Sequence, residues 1–402
     1  MYKEHHSVMN HLNPKGAVNK KKDLRAKLKL ALKILKIAGF LLIIISMLWG
    51  CIQMYQKDYV VSQIIDMTGT KVFAPGTAFE IVITSLGEIG GKTHIGGPEI
   101  EYGYNGITSW AEAFSRTGGS LFYGLFVYPM GFLLVGILKG FSGTLNPDLS
   151  TSQQQAYGIA AFFSIFFTVL IVKTITLAFS WKSQKNQEKM QMLQLKQAEI
   201  TAKYKGKKDT QSRQKQQMET SALYKKEGLS PMGAITGSFA SLPFLFAIYA
   251  VVRSTRALKV ANIGAISLIE APWERLTHGE PIYIVLLVVY FPLQVVSMLL
   301  PTILQYVKQK SSTLTEAQRK ARKKQLIMQL VMMVVFIFVV ATVSSGVAIY
   351  WILSSSYQIS QTLGFHFYNQ KQVKRGDRER QRRLRQMNKT NKQIANKQTT
   401  NK

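Results

Sequence analysis

Apolar and basic residues occupy this chain in alternating blocks. Residues 1–36 are polar and basic, with Lys20, Lys21, Lys22, Arg25, Lys27, Lys29, Lys33 and Lys36. From Ile37 to about Met54 the chain is almost wholly apolar, a run at the short limit for a spanning helix, which needs about 17–25 residues. Residues 55–120 are mixed, rich in glycine and poor in basic residues, with only short strand-like pieces such as Phe79 to Thr84. Apolar blocks follow at 121–142, 157–181, 230–254 and 282–304. About forty largely apolar residues from Gln325 to Phe367 then suffice for two spans of about 18 each, with Val343-Ser344-Ser345-Gly346 as the turn between them. This predicts an all-α membrane protein.

The charged blocks orient the spans. The leader 1–36, the lysine-dense stretch 182–229, the loop 305–325 and the tail 367–402 are basic and read as cytoplasmic; residues 55–120 read as exterior. The segments flanking 121–142 lack basic clusters and read as exterior too. A full crossing there would put one of them inside, so 121–142 is expected to lie on the outer surface, broken near Pro129. Six crossings remain, at 37–54, 157–181, 230–254, 282–304, 326–343 and 346–366. Both termini are then cytoplasmic, if the first helix is retained.

Within 182–229, Met190, Leu193, Ile200 and Tyr204 follow helical spacing, with Gln197 in the remaining slot. Residues from Gly206 to Asp209 interrupt the pattern, a second helix runs from about Thr210 to Glu227, and Gly228 with Ser230-Pro231 stops it. A helical hairpin is expected. In 230–254, Gly233 and Gly237 allow close helix packing.

The net charge of +30 in a chain that is 47% hydrophobic is explained by this segregation. Cys51 is the single cysteine, which excludes an internal disulfide and a cysteine metal cluster. No two of the six histidines share metal-ligand spacing in a structured element, and no phosphate-cradling glycine loop of the P-loop type is present. No cofactor and no enzymatic reaction are expected. Leu48-Trp49-Gly50-Cys51 lies close to the box at which bacterial lipoproteins are cleaved and acylated, although Trp49 is bulky for it. Residues 37–54 therefore read as a retained anchor or as an export signal with Cys51 as the lipidation point.

One ionisable residue lies well inside a span. Lys173 sits nine residues before the cytoplasmic end, about 13 Å deep at a rise of about 1.5 Å per residue. A bare charge near the bilayer centre costs about 2.5–3.5 kcal/mol on insertion scales, and a wet cavity open to the cytoplasm would compensate. Candidates to line it are Thr174, Thr176, Ser241, Gln294, Ser354, Ser355, Ser356 and Gln358. For each hydroxyl the competing reading is a bond to its own helix backbone.

The order of parts resembles the YidC/Oxa/Alb insertase family over residues 121–366. Met190-Gln191-Met192-Leu193-Gln194 is similar to the family's hairpin entry, and Ala222-Leu223-Tyr224-Lys225 with Ser230-Pro231-Met232-Gly233 to its exit. Leu242-Pro243 with Tyr249, Tyr350-Trp351, and Phe126-Val127-Tyr128-Pro129 match further family segments. The resemblance implies a five-span core around a hydrophilic groove, open to cytoplasm and lipid and closed outside. By position Lys173 takes the place of the family's groove arginine, keeping the charge without the bidentate fork. Leu195, Ser230 and Ser241 stand where the family usually has proline, asparagine and a groove glutamine. Thr176, Ser241, Gln294, Trp351 and Ser355 complete the expected client groove.

The expected function is insertion and folding of newly made membrane proteins in a bacterial plasma membrane, by a chain active as a monomer, alone or beside the Sec translocon. Tail residues Lys374, Arg375, Arg378, Arg380, Arg382, Arg383 and Arg385 are candidates for contact with ribosomal RNA or with lipid headgroups. The competing class is a secondary transporter for a small anion with Lys173 as counter-ion, which would be expected to show internal repeats and paired broken helices. A third is a passive ribosome anchor, in which Lys173 is idle.

Overall fold

The computed structural model describes residues 15–54, 63–65, 71–73, 79–87, 105–147, 151–207, 209–229, 242–309 and 314–400. Helices dominate them. Helix α1 (Lys15–Met54) joins the basic leader to the first apolar block without a break. Most of its apolar side chains face outward, but its last turns dock: Met47 is buried, the Phe122 amide donates to Ser46 Oγ at 3.0 Å, and the Tyr123 hydroxyl donates to the Gly50 carbonyl at 3.4 Å. The side chain of Cys51 lies outside the described residues.

Two small pairings follow. Strands β1 (Gln63–Ile65) and β2 (Lys71–Phe73) are antiparallel, while β3 (Phe79–Ile81) and β4 (Asn105–Ile107) are parallel. The short helix α2 is Trp110–Ser115.

Residues 121–142 correct one expectation: the helix is continuous through Pro129. A π-turn at Tyr123–Val127 leads directly into α3 (Tyr128–Ser142). The wider register explains why the proline is tolerated. Tyr128 N–H bonds to the Tyr123 carbonyl, which leaves the Gly124 carbonyl facing Pro129, a residue with no N–H to give. Trp110 Nε1 fills the gap by donating to that carbonyl at 2.7 Å. Gly124 is required here, since a Cβ would lie 2.0 Å from the Phe114 ring.

Next comes α4 (Thr151–Lys185), then the antiparallel pair α5 (Gln187–Lys203) and α6 (Thr210–Lys226). Asp209 caps α6 by accepting from Ser212 N at 2.8 Å. The pair is held by Tyr224 Oη to Gln197 Oε1 at 3.0 Å and by Tyr204 Oη to Glu219 Oε1 at 2.8 Å. Tyr224 is buried at the seam, and Leu193 and Leu195 are buried on α5.

Helix α7 (Leu242–Ser254) is the second half of the block expected at 230–254; Ser230, Pro231, Gly233, Gly237 and Ser241 lie outside the described residues. A one-turn helix α8 (Arg256–Lys259), the hairpin β5 (Asn262–Ile263) with β6 (Ile266–Ser267), and α9 (Pro272–Thr277) form the next connection. Helix α10 (Ile284–Gln309) carries Pro292 and Pro301 internally. Helix α11 (Glu316–Thr342) starts with a capping box between Thr315 and Gln318. Val343 and Ser344 turn the chain into α12 (Ser345–Thr400), 56 residues in which the last span and the basic tail are one helix, about 84 Å long.

By length and composition, five helical stretches among the described residues suffice to cross a membrane: Lys27–Gly50, Tyr123–Ser142, Ser152–Ala178, Pro281–Val307 and Glu316–Thr342. The shorter α7 is apolar as well. The bundle has two distinct ends, here named the hairpin end (α5, α6 and the emerging α12) and the loop end (β3, β4, α8, α9 and the 343–344 turn).

The loop end is tightly closed. Buried Glu80 pairs with Arg256 at 2.7 Å and with buried Lys259 at 3.0 Å. Tyr157 Oη donates to the Ala257 carbonyl at 2.8 Å. Gly158 lets α4 meet β5 backbone to backbone, because a Cβ there would fall 1.7 Å from the Asn262 carbonyl oxygen. The first donors of α12 are satisfied from the same loop: Ser345 N and Oγ reach the Glu270 carbonyl at 2.7 and 2.8 Å, and Gly346 N reaches the Leu268 carbonyl at 2.8 Å.

Candidate functional site

Polar side chains inside the apolar bundle converge between α7, α10, α11 and α12. On α10, Tyr290, Gln294 and Ser297 recur at four- and three-residue spacing and share one helix face. On α12, Trp351, Ser354, Ser355 and Gln358 do the same. The two faces meet across a cavity of about 170 Å³, which Leu245 of α7 and Phe336 of α11 close with apolar walls.

Ser355 Oγ donates to Gln294 Oε1 at 2.8 Å, so each polar group is the other's partner in an apolar setting. Leaving either unpaired would cost about 1–3 kcal/mol. Trp351 forms the floor, edge-on to Phe336 with centroids 6.1 Å apart and tilted against Tyr290 at 6.3 Å. The aromatic frame fixes the wall, and the space between is roomy and polar enough for water.

The expected groove residues divide. Gln294, Trp351 and Ser355 line this cavity together, joined by Ser354 and Gln358. Lys173 is half-buried on α4 and is not among the lining residues. It has no ion pair or hydrogen bond among the described residues. Thr176 gives its hydroxyl proton to the Val172 carbonyl at 2.7 Å and Thr174 to the Leu170 carbonyl at 2.7 Å, the ordinary back-bond of a helical threonine. Ser241 lies outside the described residues. Tyr290, Phe336 and Ser297 went unrecognised in the sequence. Spacing from Gln294 could have found Tyr290 and Ser297, whereas Phe336 carries no polar signal.

A second cavity, of about 430 Å³, opens at the hairpin end between α5, α10 and α12. Lys185, Lys189, Lys196, Glu188 and Glu227 line it, so it is mixed in charge. The hairpin root is tied to α12 here: His366 Nδ1 and Glu188 Oε1 are 2.7 Å apart, and Asn369 Nδ2 donates to the Lys185 carbonyl at 3.2 Å. Farther out, Lys203 and then Tyr204 hold the Glu219 carboxyl below its usual range. Lys374, Arg375, Arg378, Arg380, Arg382 and Arg383 are all exposed along α12, and the side chain of Arg385 is outside the described set. Among the described residues no three of His, Cys, Asp and Glu are grouped to hold a metal ion.

Relatives place this architecture. A model of the family described as 60Kd inner membrane protein matches residues 152–374, from the start of α4 into the basic part of α12. The chain is 59% identical to a membrane protein insertase YidC of Mycoplasma capricolum over 389 residues, 96% of this chain and 99% of that protein. It is 29% identical to a protein of the same name from Ureaplasma parvum, over 90% of each chain. Similarity extends to membrane protein insertase YidC 2 of Listeria innocua, 24% identical over 50% of this chain and 61% of that one.

Proposed function

The chain belongs to the 60Kd inner membrane protein family and is a membrane protein insertase of the bacterial plasma membrane, and on that premise we propose how its bundle receives a client. The polar cavity at Gln294 and Ser355 is the observation that carries the reading. It gives the polar tail of a newly made membrane protein a hydrogen-bonding stop inside the apolar layer. Without one, each buried polar group costs several kcal/mol. Lys173, on the neighbouring α4, supplies attraction for acidic tails at reduced dielectric. The client's apolar segment then leaves sideways into lipid, which gives the step its direction. The process needs no nucleotide and no chemical step.

The hairpin end faces the cytoplasm in this account, since its basic residues obey the positive-inside bias. The loop end is the sealed outer face. Helix α3 lies along that side rather than across the bilayer. Near its two ends, Phe126 meets Phe244 at 5.2 Å and Phe141 meets Phe163 at 6.0 Å. Phe244 is ten residues from Ser254, while Phe163 and Phe167, which also stacks on Phe141 at 5.7 Å, are six and ten residues beyond Tyr157, itself bonded to the loop at Ala257, so both ends of the helix sit about 9–15 Å from the loop end. A crossing helix would separate those depths by about 22 Å. The docking of Ser46 and Gly50 on Phe122 and Tyr123 supports a retained first helix. The exposed arginines of α12 are offered to ribosomal RNA, beyond the reach of the bilayer.

Site-directed crosslinking tests the cavity. In a Cys51→Ala background, a cysteine introduced by Gln294→Cys should form a disulfide with a cysteine in the client's polar tail during insertion. A cysteine introduced by Val334→Cys, on the exposed face of α11, should not. Equal crosslinking at both positions, or none at position 294 while insertion proceeds, removes the cavity from the client's path.

A further inference from the structure

A third cavity has no part in that scheme. It is a cleft of about 350 Å³ between α4 and α12, lined by Leu177, Trp181, Tyr357, Gly364, Phe365 and Tyr368. Its walls are almost wholly apolar. Trp181 and Phe365 meet edge-on at 4.9 Å and form the back. Ser360, also in the lining, gives its hydroxyl proton to the Ser356 carbonyl at 3.0 Å and so presents little demand for a partner.

The cleft begins within the apolar stretch Ser152–Ala178 and runs toward the hairpin end. Charge then appears on the same two helix faces. One turn beyond Trp181 stands Lys185, whose Nζ sits 5.4 Å from the Tyr368 ring centre. Its backbone is fixed by Asn369. On α12, the face that carries Gly364 and Tyr368 continues through Lys371 and Arg375, both exposed. From Leu177 to Lys185 is about 12 Å along the helix axis. An apolar slot inside the bilayer, ending in cations beside Trp181 and Tyr368 at headgroup level, has the shape and polarity of a phospholipid.

We propose that this cleft binds one anionic phospholipid of the leaflet on the hairpin side, with an acyl chain between Trp181 and Gly364 and the phosphate at Lys185 and Lys371. Water is a poor occupant of an apolar cleft bordered by hydrocarbon, so an acyl chain fills it. The cation pair selects the headgroup by charge. A lipid seated there bridges α4 and α12 just where α12 leaves the membrane as the tail helix.

The test uses the full chain in phosphatidylcholine vesicles doped with brominated phosphatidylglycerol or, at matched fraction, brominated phosphatidylcholine. Bromine quenches nearby tryptophan, and subtracting the Trp181→Phe protein isolates the Trp181 signal. Brominated phosphatidylglycerol should quench that signal at least twofold more than brominated phosphatidylcholine. The preference should vanish in the Lys185→Glu, Lys371→Glu double variant. Gly364→Leu should reduce quenching by both lipids, since its side chain enters open space with nothing within 4 Å of its Cβ and fills the slot. Equal quenching by the two lipids in the unmodified chain means ordinary boundary lipid and overturns the proposal. Persistent preference in the double variant, or undiminished quenching in Gly364→Leu, overturns it as well. Contact with lipid is read directly, so the outcome is independent of whether insertion uses the Gln294 cavity.

Discussion

The two ends of this bundle are built on opposite plans. At the loop end, charges are buried and paired, as Glu80 is with Arg256 and Lys259, and backbones touch at Gly158 and Asn262. At the hairpin end, most charges are exposed and helices part around cavities, while α5 is tied to α12 through the partly buried pair of Glu188 with His366. Close packing and buried ion pairs resist local opening, whereas exposed polar contacts do not. A polar cavity placed between such ends has one firm wall and one yielding wall. That asymmetry is what an insertase needs if polar segments are to enter from one side without a leak through the other.

The difference can be broken most severely at Glu80. Glu80→Gln leaves buried Lys259 without its counter-charge and should destabilise the loop end by about 3–5 kcal/mol, read from thermal unfolding in detergent. If the closure depends on pairing, replacing the whole cluster, with Glu80→Leu, Arg256→Met and Lys259→Met, should recover much of that loss. Gly158→Val comes next: overpacking against the Asn262 carbonyl should cost about 1–3 kcal/mol. Trp110→Phe orphans the Gly124 carbonyl, at about 1–3 kcal/mol. Pro129→Ala supplies an N–H next to that carbonyl, so the double variant should lose less than Trp110→Phe alone. Equal losses would mean the π-turn is not what Trp110 satisfies.

Smaller effects sharpen the contrast. Thr108 holds the Glu112 carboxyl below its ordinary value of 4.5, through side-chain and backbone hydrogen bonds. A depressed carboxylate stabilises the fold above about pH 4.5 and loses that contribution as the pH falls through its folded value. The gap in melting temperature between the unmodified chain and Glu112→Gln should therefore be full at pH 7 and shrink below pH 4.5. At the hairpin, Glu219→Gln removes an exposed partner of Lys203 and should leave the melting temperature unchanged within error.

Much of the hairpin end can be read from local pattern. Met190, Leu193, Ile200 and Tyr204 announce α5 by spacing, and residues from Gly206 to Asp209 mark its turn, because a hairpin is made of short-range contacts. The all-α membrane architecture is legible for the same reason, since each span is a contiguous apolar run. Gln294, Trp351 and Ser355 stand out as polar or aromatic residues in such runs, and their meeting depends on α10 and α12 lying side by side. The loop end is different. Glu80 meets Arg256 across 176 positions of sequence, and no periodicity links them. Pro129 misleads by itself, because its effect on the helix is cancelled by Trp110, nineteen positions earlier, acting through Gly124.

The proposed role of Lys173, on α4 beside the polar cavity, is to attract acidic client tails that enter from the hairpin side. Its most direct measurement is insertion of a single-span client with an acidic tail by the purified chain in vesicles, comparing Lys173→Arg and Lys173→Glu. Lys173→Arg should insert the client as the unmodified chain does, and Lys173→Glu should lower insertion at least tenfold while a client with a neutral tail is spared. Normal insertion of the acidic client by Lys173→Glu would contradict the account.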